Sequence, residues 1–454
     1  MGMHRRTFVN AATLAAIGLA LSRAHGAGSK GSALIVGAGI AGLAAASALR
    51  AKGWTVTVLE ARDRLGGRIH TDRSLDGLAI ELGAQTIQGA ERNPLAKLIA
   101  QAGAKTATVE LDRSLLFNLR GEPLGDSMEQ AMHERWDDIR DAIEIERDRT
   151  DDDASLAELL AEALDDAGLS YAEAQAMRYF VAARIEHLHA APAAEIGARA
   201  WRMREAGDSE DFLLPGGYDQ LPAFLARGLN VRLGHLVKTI RRDARSVTIV
   251  TDRGDFTADA AIVTLPLGVL KAGAVSFEPA LPADMVNAID LLAMGALHRV
   301  WLRFPASFWP DTAHLLGYLG ARPGEWCDWA NLEPMLGAPV LCATHAGPQA
   351  RALEAMPDAA IVKLACEPLR KMFGDAFIEP TASLVTHWSS DPFALGASSH
   401  IPPGVTPDDI AALAQPLGGR LHFAGEATSK KYPGTVHGAY LSGLAAAGRV
   451  KAEV

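Results

Sequence analysis

The clearest chemistry in the sequence lies in three glycines and an acid: Gly37, Gly39 and Gly42, spaced G-x-G-x-x-G, with Glu60 downstream. Gly37 permits a tight turn, Gly39 lets backbone N–H groups approach a pyrophosphate, and Gly42 lets a helix pack closely on a strand. An acid where Glu60 stands takes the ribose hydroxyls of a dinucleotide. Such a spacing means little without its context, and here the context is present. Residues 33–36 form a short apolar run of buried-strand type, an alanine-rich helix containing Ala41 runs to Lys52, Gly53 stops it, and residues 54–59 read as a second strand. The unit is βαβ, and it predicts a dinucleotide site.

The next residues are Ala61-Arg62-Asp63-Arg64-Leu65-Gly66-Gly67-Arg68. Paired glycines flanked by arginines allow a second close approach of backbone to ligand, and Arg68 can neutralise a phosphate. Read with the first motif, the run resembles the flavin-containing amine oxidases, whose cofactor motif is G-x-G-x-x-G followed by E-A-R-x-R-x-G-G-R. The resemblance implies FAD, held by Gly37, Gly39, Ala41, Gly42, Glu60, Ala61, Arg62, Gly67 and Arg68. Residues 81–89, Glu-Leu-Gly-Ala-Gln-Thr-Ile-Gln-Gly, look like the family's segment that passes the flavin ring. They would bring Gly83, Ala84, Gln85 and Thr86 to the cofactor and Gln88 to the substrate, where polyamine oxidases commonly carry a histidine. The turn at 213–218 with Leu221 and Pro222 matches a further signature, and the resemblance sets Val237 against the adenine through its backbone.

Residues 294–304 read as an alternating, half-buried strand. In much of the family a lysine that holds a water near flavin N5 stands where Arg299 stands here. Lysine can lose its proton when buried and arginine effectively cannot. Arg299 can therefore anchor a water or stabilise an anionic reduced flavin, or merely pair with a carboxylate, but it cannot be a general base. His298 alternates to the other face and reads as structural. Residues 387–396 resemble the family's tryptophan-containing strand and turn, with Trp388 beside the flavin. Gly425-Glu426 ends a strand at 421–423, a second glycine-acid pair. Thr435 and Val436 then open the last helix, whose N-terminal dipole favours the anion formed on reduction. His437, among small residues, reads as packed. Arg299, Gln88 and Trp388 are the expected catalytic residues. The family's aromatic cage is absent, since its positions match Ser398 and Thr435, and with no cysteine near Ser398 the FAD is expected to be non-covalent.

These residues must be positioned by a chain of 454 residues, long enough for two or three domains. The expected class is α/β: a discontinuous Rossmann-like FAD-binding domain (29–90, 205–276, 385–454) with an inserted α+β substrate domain of mixed sheet and helices (91–204, mostly helical, and 277–384). The acidic stretch 134–166 reads as a solvated helical face with a loop at 151–153. A net charge of -10 argues against nucleic acid. Cys327, Cys342 and Cys366 have no disulfide or metal-ligand spacing. Residues 1–28 join Arg5-Arg6-x-Phe8 to a short apolar run and small residues. That is the pattern of a twin-arginine export signal of bacteria, too short for a stable membrane span. It predicts a periplasmic protein; a basic tail on a cytoplasmic enzyme is the alternative.

The resemblance implies hydride transfer from the carbon next to an amine nitrogen to flavin N5, hydrolysis of the imine to an aldehyde, and reoxidation by O2 to give H2O2. The expected partners are a small amine, with a polyamine or other secondary amine first, and O2 or another electron acceptor. Two alternatives stay open: an FAD-dependent dehydrogenase or desaturase of a non-amine substrate that uses a non-oxygen acceptor, and a flavin-bound binding protein without turnover.

Overall fold

The computed structural model describes residues 29–89, 92–109, 113–149, 154–201, 203 and 211–451. Residues 1–28, read as an export signal, the loop expected at 151–153 and the domain boundaries expected at 90/91 and 204/205 lie outside the described residues.

The apolar runs that flank the first glycine motif become the strands Ser32–Val36 and Thr55–Leu59, joined by the helix Ile40–Ala51. They form the middle of a five-stranded sheet whose order is Leu421–Phe423, Ala260–Val263, Ser32–Val36, Thr55–Leu59, Asn230–Arg232. All neighbours are parallel. Numbered along the chain this is the order 3-2-1-4-5 of a doubly wound dinucleotide fold, with its ligand crevice where the order reverses, at the carboxyl ends of Ser32–Val36 and Ala260–Val263. The helix Ile40–Ala51 buries Leu43, Ala44, Ala45 and Leu49 against the sheet, and the last helix, Val436–Arg449, packs beside it. Small residues permit this approach: a Cβ on Gly443 would stand 2.1 Å from the carbonyl of Ala41.

A four-stranded sheet (Gly254–Ala258, Val247–Thr251, Val237–Arg242, Ser276–Glu278) extends from the first. Ser276–Glu278 runs parallel to Val237–Arg242 with Phe277 opposite Ile240, so the boundary expected at 276/277 falls inside this strand. The rest of the chain builds a six-stranded mixed sheet in the order Ala382–Val385, Leu297–Arg303, Val340–Ala346, Asp328–Asn331, Leu315–Tyr318, Ser114–Phe117. The helices Asp126–Arg147, Leu156–Asp166 and Tyr171–Val181 pack beside its Ser114–Phe117 end. Ser155 and Ser170 start the last two with reciprocal capping boxes to Glu158 and Glu173. Among the described residues no helix is long and apolar enough to cross a membrane.

Candidate active site

Both glycine loops meet at the crevice. Gly37 sits at φ +100°, and a Cβ there would come 2.7 Å from Thr264 Oγ1, which is fixed by donating to the Val36 carbonyl at 2.7 Å. A Cβ on Gly42 would stand 2.0 Å from the Gly37 carbonyl, so Gly42 serves the turn from behind and does not line the crevice. Gly66 N donates to Ala38 O at 2.9 Å, laying the second loop along the first and bringing Gly39 and Gly67 side by side. Glu60 is buried, and its carboxylate accepts from Ala38 N at 2.6 Å and Arg62 N at 2.8 Å. A carboxylate has about four acceptor positions, so those two bonds leave capacity for ribose hydroxyls.

The arginines also have protein partners that the sequence did not announce. Arg62 is bidentate to Asp391, at 2.8 and 2.7 Å, and lies over the Phe393 ring at 5.2 Å. It ties the first motif to the turn that holds Trp388. Arg68 Nη1 donates to Glu426 at 2.7 Å and to Ala397 O at 3.0 Å, and Ser399 Oγ donates to the same carboxylate. The charge expected to neutralise a phosphate is thus balanced by Glu426, because the two acid-ended motifs converge on each other. Gly425, at φ +142°, has nothing within 4 Å of where its Cβ would be, which leaves open space on the crevice side.

Residues 81–89 cross from this cradle to the six-stranded sheet and are gripped from two directions. Trp388 Nε1 donates to Leu82 O at 2.8 Å, and Arg299 Nη1 donates to Gly83 O at 2.8 Å. A Cβ on Gly83 would stand 1.8 Å from Arg68 O and 3.4 Å from Trp388 Cζ2, so only glycine fits there. Trp388 lies in the turn that follows the strand Ala382–Val385, not in a strand. Burial pushes the Arg299 guanidinium below the ordinary arginine range, and its Nε is buried with no partner. Its acceptor among the described residues is a carbonyl, not the carboxylate that the alternative required. Behind the segment, Glu81 accepts from Tyr218 N at 2.7 Å and Thr71 Oγ1 at 2.9 Å, and burial pushes its pKa up to about 7.

One cavity of about 520 Å³ joins all of this, a size that takes cofactors and small ligands. Gly37, Gly39, Ala41, Glu60, Ala61 and Arg62 line its cofactor end, with Gly67, Arg68, Val237, Gly425 and Glu426. Gly83, Ala84, Gln85, Thr86, Gln88 and Trp388 line the middle, with Arg299, Ser398, Thr435 and Val436. Thr435 caps the last helix, its hydroxyl accepting from Gly438 N at 2.9 Å. His298 is fully buried on the opposite face of its strand, where burial pushes its pKa down to about 4. None of the three cysteines lines the cavity; all are buried thiols.

Three residues escaped the sequence reading. Thr264 locks the Gly37 turn, and Asn93 bridges Gln88 O at 2.8 Å to His437 Nδ1 at 3.3 Å. His187 enters the cavity from the helical insertion. Only His187 carried a local signal, as one of several titratable residues at 184–189 in an alanine-rich helix. The open, glycine-walled crevice, the spare acceptors of Glu60 and the orphaned Nε of Arg299 fit a bound dinucleotide with a polar ring.

The comparisons agree with this geometry. The flavin containing amine oxidoreductase family matches residues 40–451. The chain is 37% identical to polyamine oxidase 4 of Oryza sativa subsp. japonica over 92% of this chain and 88% of that one. It is 33% identical to lysine-specific histone demethylase 1 homolog 3 of Oryza sativa subsp. indica, over 92% of this chain but 53% of that protein. Among solved structures, a wild-type putrescine oxidase bound to putrescine superposes with a TM-score of 0.76 at 22% identity, covering 92% of this chain and 98% of that chain. That likeness is one of fold. The sequence match, spanning both glycine loops' partners and the last helix, has one meaning: this chain belongs to the flavin containing amine oxidoreductases.

Proposed function

We propose that this FAD-dependent amine oxidase acts on a polyamine or other secondary aliphatic amine. The observation that carries the substrate class is the likeness to polyamine oxidases along nearly the full length of both chains, where the histone demethylase relative is matched over only 53% of its length. The cavity supports it. Leu188 and Leu297 supply apolar wall, Gln88 and Thr435 supply polar wall, and Ser398 and Thr435 leave the passage wide where aromatic rings would narrow it. An aliphatic stem with a substituted nitrogen suits such walls.

Gly39, Gly67 and Gly425 would hold the dinucleotide through backbone, and Glu60 through its free acceptor positions. When bound, FAD supplies the two-electron oxidation of the carbon–nitrogen bond and the return of those electrons to an acceptor, for which we propose O2. The chain's own part is orientation and electrostatics. Arg299 holds a fixed positive charge and an unused N–H at the wall next to Gly83. Trp388, through its bond to Leu82, fixes the other side of the same segment. The helix Val436–Arg449 starts at the cavity, where its dipole favours negative charge.

The test is the flavin absorption of the purified protein, kept anaerobic, as spermidine, spermine, putrescine, aromatic monoamines and amino acids are added singly. Bleaching by the aliphatic polyamines is expected, followed by recovery and peroxide on admitting air. Bleaching by aromatic monoamines alone would overturn the substrate class, and a bleached enzyme that stays bleached in air would overturn the acceptor. We further propose that residues 1–28 direct export to the periplasm. Cell fractionation with Arg5→Lys and Arg6→Lys together should retain the protein inside the cell.

A further inference from the structure

The six-stranded sheet presents Arg299 to the substrate end of the cavity. Val300 is in register with Ala343, and Ala343 with Trp329; all three are fully buried in the sheet's core face. Side chains alternate along strands, so the next residues, Arg299, Thr344 and Asp328, form a row on the opposite face. Arg299 is paired with Thr344 in this register. The helical insertion reaches that face through a π-helical turn, Ala182–Glu186, followed by His187–His189. A π-turn carries one residue more than an α-turn and re-aims the side chains after it. Here it places His187 on Asp328, Nδ1 to Oδ2 3.4 Å, with the imidazole almost enclosed and lining the cavity.

An aliphatic amine is an ammonium ion near neutral pH, yet hydride can leave its α-carbon only when the nitrogen has a lone pair to donate. One proton must therefore leave the nitrogen first. Arg299 cannot take it, because a guanidinium stays charged even when burial lowers its pKa, and Gln88 is not a base. His437 is poorly placed to do so: its Nδ1 accepts from Asn93, which puts its own proton on Nε2. His187 has the opposite arrangement, since a carboxylate at Nδ1 keeps the proton there and leaves the Nε2 lone pair for the cavity.

We propose that His187, oriented by Asp328, is the base that deprotonates the substrate ammonium. The substrate N–H bond breaks and leaves its electron pair on nitrogen, an N–H bond forms at Nε2, and the imidazolium is balanced by Asp328. The proton returns to solvent after turnover, and no electron passes through the pair. This rests on the amine reading above. The other groups facing His187 are His345, held neutral by burial with His187 itself opposing its charge, Arg299 across the sheet row, and Glu186, whose carboxylate accepts from Ala193 N at 3.0 Å. Arg184 lies on the same π-turn.

The experiment is anaerobic rapid-mixing reduction of the holoenzyme by its best amine as a function of pH, for wild type, His187→Gln and Asp328→Asn. Alongside it, the histidine ring resonances of ¹⁵N-labelled, flavin-free protein are followed by NMR. Wild type should slow toward low pH as one group protonates, and a His187 resonance absent from His187→Gln should titrate. His187→Gln should keep its flavin, reduce at least about 30-fold more slowly and lose the acidic limb. Asp328→Asn, which takes away the carboxylate that orients the ring, should keep its flavin and reduce more slowly than wild type while retaining the acidic limb. A His187→Gln enzyme with wild-type rate and profile overturns the assignment, as does an Asp328→Asn enzyme that reduces at the wild-type rate. A wild type that no amine reduces would instead overturn the amine reading and this assignment with it.

Discussion

The two ends of the cavity are built in different materials. At the cofactor end, backbone does the positioning: Gly39 against Gly67, Ala38 N and Arg62 N on Glu60, and Gly425 open to the crevice. At the substrate end, side chains do it: Arg299 from the sheet, His187 just after the π-turn and Gln88 from the crossing segment. A backbone cradle tolerates no added atom but asks little of side-chain identity, whereas a side-chain wall can change residue without moving the fold. That is how the chain can carry Arg299 and Gln88 where the family resemblance implies lysine and histidine and still retain the whole cofactor motif.

The contrast can be broken from either side. The largest effect is expected from Gly42→Ala, whose Cβ would press on the Gly37 carbonyl at 2.0 Å. The turn and helix must separate, and the protein should purify with less than about a tenth of its flavin, because overpacking at a fixed backbone contact relaxes poorly. Absorbance of flavin against protein measures it. Arg299→Met should spare the cofactor end altogether. Flavin content stays at the wild-type level while anaerobic reduction slows by about 10²-fold, the typical loss for one preorganised charge or donor. Arg299→Lys should keep most of the rate; its complete loss would show that the arginine does more than orient water.

The smallest effect sharpens the seam between the ends. Glu81 has its folded pKa raised to about 7 by burial, so the folded state favours its protonated form. Its contribution to stability is fully present below the unfolded value near 4.3 and is lost as pH rises through about 7. Glu81→Gln can still accept from Tyr218 N and Thr71. Denaturant midpoints of the flavin-free protein should therefore fall less for Glu81→Gln than for wild type between about pH 5 and 8, by an amount on the order of 2 kcal/mol.

The sequence was most legible where backbone dominates. Glycines at fixed spacing between apolar runs announce a turn, a strand and a helix together, and the parallel sheet followed from them. The six-stranded sheet was only partly visible: Ser114–Phe117 is four residues long, stands beside the acidic helices, and is a strand only because Leu315–Tyr318, far along the chain, pairs with it. The partners of the arginines were hidden for the same reason. Arg68 read locally as a phosphate ligand and Arg62 as a cofactor residue, yet Asp391 meets Arg62 and Glu426 meets Arg68 across more than 300 positions. Thr264, Asn93 and His187 act through long-range hydrogen bonds or a helical irregularity, and neither leaves a periodic trace.

The same long reach orders events during synthesis. The cofactor sheet opens with Ser32–Val36, but its edge strand Leu421–Phe423 and the helix against Ile40–Ala51 come from the last stretch of chain. The bond from Trp388 to Leu82 spans 306 positions. Until those residues leave the ribosome, the first glycine motif has its loops without its floor. Flavin capture therefore waits for the helix Val436–Arg449: a chain cut before it carries the whole fingerprint and should still emerge colourless.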